Sequence, residues 1–137
     1  QSPALCAMCP SPRWPAACRS IIEQSRKQAS ASPPRSSEEK ITDKTKLLIL
    51  PYPNNPTGAV MRRADLEAVA RVVERHNLLV LSDEIYAALT YGSEPHTAFS
   101  AIPGMQERTI LVNGFSKSHS MTGWRMATPR APGRLSA

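Results

Sequence analysis

Five side chains in this sequence could act together on one small molecule: the amide of Asn55, the carboxylate of Asp83, the phenol of Tyr86, the amine of Lys117 and the guanidinium of Arg125. A deprotonated amine attacks a carbonyl and makes a covalent link. A carboxylate can pair with a cationic group, and an amide and a phenol can both donate hydrogen bonds. A guanidinium grips a phosphate through two parallel hydrogen bonds. The set suits an aromatic aldehyde that carries a phosphate and a basic ring nitrogen.

Each of these residues also has a plainer reading. Most lysines are solvated surface groups. Asp is favoured at helix N-caps, and Asn before proline is common turn chemistry. What favours the chemical reading is where the residues fall. Leu47–Leu50, Leu78–Leu81 and Thr109–Val112 are short apolar runs whose length and flanks suit buried strands. Polar clusters follow all three: Asn54-Asn55, Ser82-Asp83-Glu84 and Asn113 to Lys117. Between the first two runs, Leu66, Val69, Ala70 and Val73 recur at helical spacing, which predicts a helix over Arg62–His76. Asn77 can close it in the left-handed conformation. Strand, helix and strand, with apolar runs instead of alternation, predict a parallel sheet covered on both faces. Ligands of such sheets bind beyond the carboxyl ends of the strands.

Composition narrows the alternatives. The chain has 137 residues, 41% hydrophobic and 20% charged, which suits a globular unit of modest size. The net charge of +6 sits mostly in the flanks, and residues 41–127 carry nine basic and eight acidic side chains. No groove-reading motif accompanies the charge, so nucleic acid is not expected as a partner. No apolar run approaches the ~20 residues of a membrane span. Residues 1–40 hold six Pro and eight Ser and read as loosely ordered, apart from a thin helical signal over Arg19–Gln28. Cys6 and Cys9 form a C-x-x-C, but no further ligand follows before His76, so chance spacing is preferred to a metal site. With Cys18 the cysteines number three, which argues against a disulfide framework and makes a reducing cytoplasm the default.

Three segments carry a specific resemblance. Leu50-Pro51-Tyr52-Pro53-Asn54-Asn55-Pro56-Thr57-Gly58, Ser82-Asp83-Glu84-Ile85-Tyr86 and Ser116-Lys117-Ser118-His119-Ser120-Met121-Thr122-Gly123-Trp124-Arg125 resemble the class I/II (fold type I) aminotransferases, most closely the aspartate and aromatic aminotransferase branch. The motifs occur in the family's order. The resemblance implies an α/β fold, here a partial three-layer αβα large domain with a mostly parallel sheet and largely irregular flanks at 1–40 and 128–137.

The resemblance also implies pyridoxal 5'-phosphate as cofactor, with an amino acid and a 2-oxo acid as substrates and a homodimer as the assembly. Lys117 is then the lysine that forms the imine and moves the substrate proton. Asp83 faces the ring nitrogen, Asn55 and Tyr86 bond the phenolate oxygen, and Arg125 with Ser116 holds the phosphate. Asn55–Pro56 is expected to be cis, and Trp124 to pack. Gly114 stands where the family often has a phosphate-binding hydroxyl, and Arg62 where it often has a helix-capping Ser or Thr. Losing such a cap typically costs about 1 kcal/mol.

Family members are considerably longer. Their Gly-rich phosphate loop and ring-stacking aromatic residue are not recognisable in residues 1–40, and the residues after Ala127 resemble neither a strand nor the family's small domain. The expectation is therefore a fragment with little transaminase activity alone. A pyridoxal-phosphate-dependent C–S lyase of the same fold and a non-catalytic cofactor-binding or regulatory remnant are the alternative readings.

Overall fold

A computed structural model of the chain describes residues 38–93 and 95–133. The three cysteines and the segment Arg19–Gln28 lie outside the described residues. The elements are β1 (Leu47–Pro51), α1 (Arg63–Arg75), β2 (Leu79–Asp83), β3 (Thr109–Gly114), the single turn α2 (Phe115–Ser118) and β4 (Ala127–Arg130). They form one sheet in the order β1-β2-β3-β4. The first three strands are parallel, and β4 returns antiparallel to β3. This is the α/β fold expected from the sequence.

All three apolar runs form strands, but β2 and β3 extend further than their apolar residues. Ser82 and Asp83 keep the register, opposite Leu50 and Pro51 on one side and Leu111 and Val112 on the other. Asn113 and Gly114 pair with Thr128 and Ala127. Polar side chains do not stop a strand whose backbone bonds are still supplied by neighbours.

The tail expected to be irregular is corrected for its first residues: Thr128, Pro129 and Arg130 lie in β4. All four β4 residues are exposed. The strand is held by backbone pairing alone, which leaves no apolar pattern in the sequence. Pro129 lacks an N–H for the ladder and sits on the outermost strand, where that loss is tolerated.

The pleat divides the sheet into two unlike faces. Leu48, Leu50, Val80, Ser82 and Thr109 point toward α1, whose Leu66, Val69, Ala70 and Val73 are buried with Leu50 and Val80 in one core. Phe99, Ile102 and Met105, from the segment between β2 and β3, complete that core. The opposite face carries Leu47, Ile49, Leu79, Leu81, Ile110 and Val112. Leu47 and Ile49 there are 41% and 43% exposed, against 8% for Leu50 on the α1 face. Among the described residues, one helical layer of the expected three-layer arrangement is in place and the other face stays open.

Helix α1 starts at Arg63 and ends at Arg75, inside the predicted span, with Arg62 and His76 as its flanking caps. The Arg62 side chain has no acceptor and caps nothing. Asp65 compensates in part, since its Oδ2 accepts from the Arg62 backbone N–H at 3.1 Å. Asn77 takes φ 49°, the left-handed close expected of it. At this end Glu38 accepts hydrogen bonds from Arg75 and from His76, the latter at 3.2 Å, and ties residue 38 to the helix.

Candidate functional site

The carboxyl ends of the parallel strands face one region. After β1, the segment Pro51–Gly58 turns twice, with cis peptides at Tyr52–Pro53 and at Asn55–Pro56, the second as expected. Gly58 at φ 69° closes the turn, and its N–H donates to the Asn54 carbonyl at 2.8 Å. Thr57 Oγ1 donates to Asn54 Oδ1 at 2.8 Å, so Asn54 braces the turn while Asn55 is left exposed at its tip.

From that tip Asn55 Nδ2 donates to the Tyr86 hydroxyl at 3.0 Å, across 31 residues of sequence. Lys117, at the end of α2 after β3, places Nζ 5.8 Å from the centre of the Tyr86 ring, a cation–π distance. One residue from each of the three strand ends therefore meets at Tyr86.

Asp83 is the last residue of β2 and points to the open face, away from α1. It is half-buried, and its Oδ1 accepts from the Ile85 N–H at 3.3 Å. That bond starts the turn that carries Tyr86. Ser116 is held through its backbone: Thr122 Oγ1 donates to the Ser116 carbonyl at 3.1 Å. Arg125 lies in the left-handed region at φ 54° and donates from Nη1 to the Thr122 carbonyl at 3.2 Å. Thr122 thus links the loop bearing Arg125 back to the turn bearing Lys117, a bracing role not recognised from the sequence. Asp83 and Arg125 are fixed by these local bonds, whereas Asn55 and Lys117 each reach Tyr86. Trp124 does not pack as expected; it is 72% exposed.

Gly114 has a steric reason. A Cβ there would lie 3.0 Å from the Met126 carbonyl oxygen and 3.5 Å from Ala127 Cα. The close approach of β4 to β3 uses the space that a side chain would need. A second cluster also escaped sequence reasoning. Glu84 is buried, and its carboxylate accepts from Ser82, from the Phe99 N–H and from His96. Its spacing to His96 follows no helical or strand period, so only tertiary structure shows it. Among the described residues, no group of three or more His, Cys, Asp or Glu is placed to hold a metal, and no helix is long and apolar enough to cross a membrane.

An α/β sheet whose parallel strand ends gather an amine, a phenol and an amide has the layout of a small-molecule site. Comparison with known proteins identifies the family. The model for aminotransferase class I and II matches residues 19–129, and the chain belongs to that family. The match begins inside the Pro/Ser-rich stretch 1–40.

A bifunctional aspartate aminotransferase and glutamate/aspartate-prephenate aminotransferase of Petunia hybrida is 51% identical over 100 residues, covering 72% of this chain and 21% of the relative. The crystal structure of an aromatic aminotransferase from Pyrococcus horikoshii superposes with a TM-score of 0.69 at 47% identity, over 72% of this chain and 26% of that one. The aspartate aminotransferase of Thermus thermophilus with maleate gives 0.77 at 36% identity, over 83% and 29%. The chain spans about a quarter of the length of the relatives it matches.

Proposed function

We propose that this chain carries the cofactor-holding middle of a pyridoxal-phosphate-dependent aminotransferase, which exchanges an amino group between an amino acid and a 2-oxo acid. The observation that carries the proposal is the meeting of Asn55, Tyr86 and Lys117 at three strand ends.

The donors present fit the cofactor. Tyr86 accepts the Asn55 N–H through an oxygen lone pair, so the Tyr86 O–H proton is left to donate. Asn55 keeps a second N–H. Two donors can therefore converge on one phenolate oxygen. Asp83 uses one lone pair on Ile85 and retains the rest of its carboxylate for a protonated ring nitrogen. Arg125 engages the Thr122 carbonyl through Nη1, and a guanidinium has five N–H donors for a phosphate. Ser116 stands beside Lys117 to add its hydroxyl.

When bound, pyridoxal phosphate supplies a ring that accepts the electrons released at the substrate α-carbon. The protein's part is attachment, orientation and proton movement. Lys117 Nζ would hold the cofactor covalently and, once freed by substrate, carry the proton from the substrate α-carbon. Asp83 would keep a proton on the ring nitrogen. Asn55 and Tyr86 would fix the ring's tilt, and Arg125 with Ser116 would anchor its phosphate end.

The test is to mix the chain with pyridoxal phosphate, follow the absorbance, reduce with borohydride and map the modified lysine. Lys27, Lys40, Lys44 and Lys46 serve as internal controls. The expected result is label concentrated at Lys117, and loss of the imine absorbance and of that label in Lys117→Ala. Label spread evenly over all five lysines would overturn the proposal.

A further inference from the structure

Glu84 is a carboxylate only 3% exposed, and three donors from separate places meet it. Ser82 Oγ donates to Oε1 at 2.8 Å, and the Phe99 backbone N–H donates to the same oxygen at 3.0 Å. His96 Nε2 lies 2.7 Å from Oε2. A carboxylate buried without such partners would be costly, so the bonds are what permit it there.

Their placement matters more than their number. The pleat sends Ser82 and Glu84 to the α1 side of β2 and its continuation, and Asp83 to the open side. One short span is thus anchored in the core by two residues while the residue between them faces the site. The Glu84 backbone is fixed as well. Its N–H donates to the Val112 carbonyl at 2.9 Å, and its carbonyl accepts from Ala87 at 2.9 Å, closing the turn that presents Tyr86. His96 and Phe99, from the segment between β2 and β3, pin that turn through the same side chain.

We propose that Ser82, Glu84 and His96 form a positioning cluster that sets Asp83 and Tyr86. The cluster touches neither Lys117 nor the Tyr86 hydroxyl; it acts through the turn it holds. Its importance for the cofactor rests on the roles proposed above for Asp83 and Tyr86.

The test uses the full chain with His96→Leu, His96→Gln and the core control Ile102→Val. Glutamine restores an N–H donor, and Ile102→Val loosens the same core without touching Glu84. Two readouts are taken: amide hydrogen exchange at Ile85–Ala87 in the cofactor-free chain, and pyridoxal phosphate affinity with the absorbance spectrum of the bound form. Loss of one hydrogen bond to a buried charged group implies about tenfold faster exchange and about tenfold weaker binding in His96→Leu. Glutamine should restore both, and the control should move neither at an equal loss of thermal stability. Ser82→Ala, which keeps two of the three donors, gives a smaller change at the same amides if His96→Leu fails to fold. Unchanged exchange at 85–87 in His96→Leu or, where that variant does not fold, in Ser82→Ala overturns the proposal. So does failure of glutamine to rescue, or an equal response in Ile102→Val. Should the chain take up no cofactor while exchange still responds and is rescued, the positioning cluster stands and the proposed function falls.

Discussion

Leu50 and Ile49 are neighbours on β1, and truncating each to alanine should have very different consequences. Leu50 is 8% exposed and packs with α1, whereas Ile49 is 43% exposed on the other face. Leu→Ala in a core costs about 2–5 kcal/mol, because the lost transfer energy is joined by a cavity term. Ile49→Ala removes three carbons, worth roughly 2.4 kcal/mol at full burial. About half of that applies to a half-wet side chain, and solvent fills the gap, which leaves about 1 kcal/mol. Taking about 3 kcal/mol for Leu50, the gap is about 2 kcal/mol. For a domain of this size that corresponds to a difference in Tm of about 8–16 °C. Thermal unfolding followed by far-ultraviolet circular dichroism measures it directly. Equal shifts would refute the reasoning, because they would mean that the face bearing Ile49 is covered in solution.

Four further outcomes are expected. Asn55→Ala removes one of two donors to the proposed phenolate oxygen and should weaken pyridoxal phosphate binding about tenfold or more, with little change in Tm, as read by absorbance titration. Hydrogen bonds from His76, and then from Arg75, hold the Glu38 carboxyl below its ordinary value. A depressed carboxylate contributes stability above its unfolded pKa and loses it as pH falls through the folded one. The Tm advantage of the parent chain over Glu38→Gln should therefore be present at neutral pH and vanish in acid; an advantage that grows in acid would contradict the assignment. Gly114→Ser places a Cβ 3.0 Å from the Met126 carbonyl and should loosen the β3–β4 pairing, seen as faster amide exchange at Asn113 and Ala127. The chain by itself should show little turnover of an amino acid with a 2-oxo acid in a coupled assay, and robust turnover would sink that expectation.

The legibility of this fold varied with how each element is held. The three parallel strands and α1 were visible because burial demands apolar side chains at fixed spacing, and Leu47–Leu50 or Leu66–Val73 can hardly be read otherwise. The strand ends were less visible, since Ser82-Asp83 and Asn113-Gly114 continue by backbone pairing that leaves no trace in side-chain type. The strand β4 was invisible for the same reason carried to its limit. The candidate site divides similarly. Asn55, Tyr86 and Lys117 could be singled out by residue type and motif, but their meeting at one ring depends on turns at three strand ends. Glu84 with His96 required the tertiary fold, because a buried acid looks like any other acid in a sequence.

Pro129 gives the sheet a direction. Strand addition needs a free row of backbone donors and acceptors. At β4 that row is interrupted by a residue with no N–H, on a strand whose four residues are all exposed. At the opposite edge, β1 has four consecutive non-proline residues, Leu47–Leu50, and among the described residues pairs on one side only. An additional strand, from elsewhere in a longer polypeptide or from a second copy, would meet an unbroken row of backbone donors at β1 and a broken one at β4. The margin better furnished for pairing is therefore the one farthest from Lys117 in the strand order.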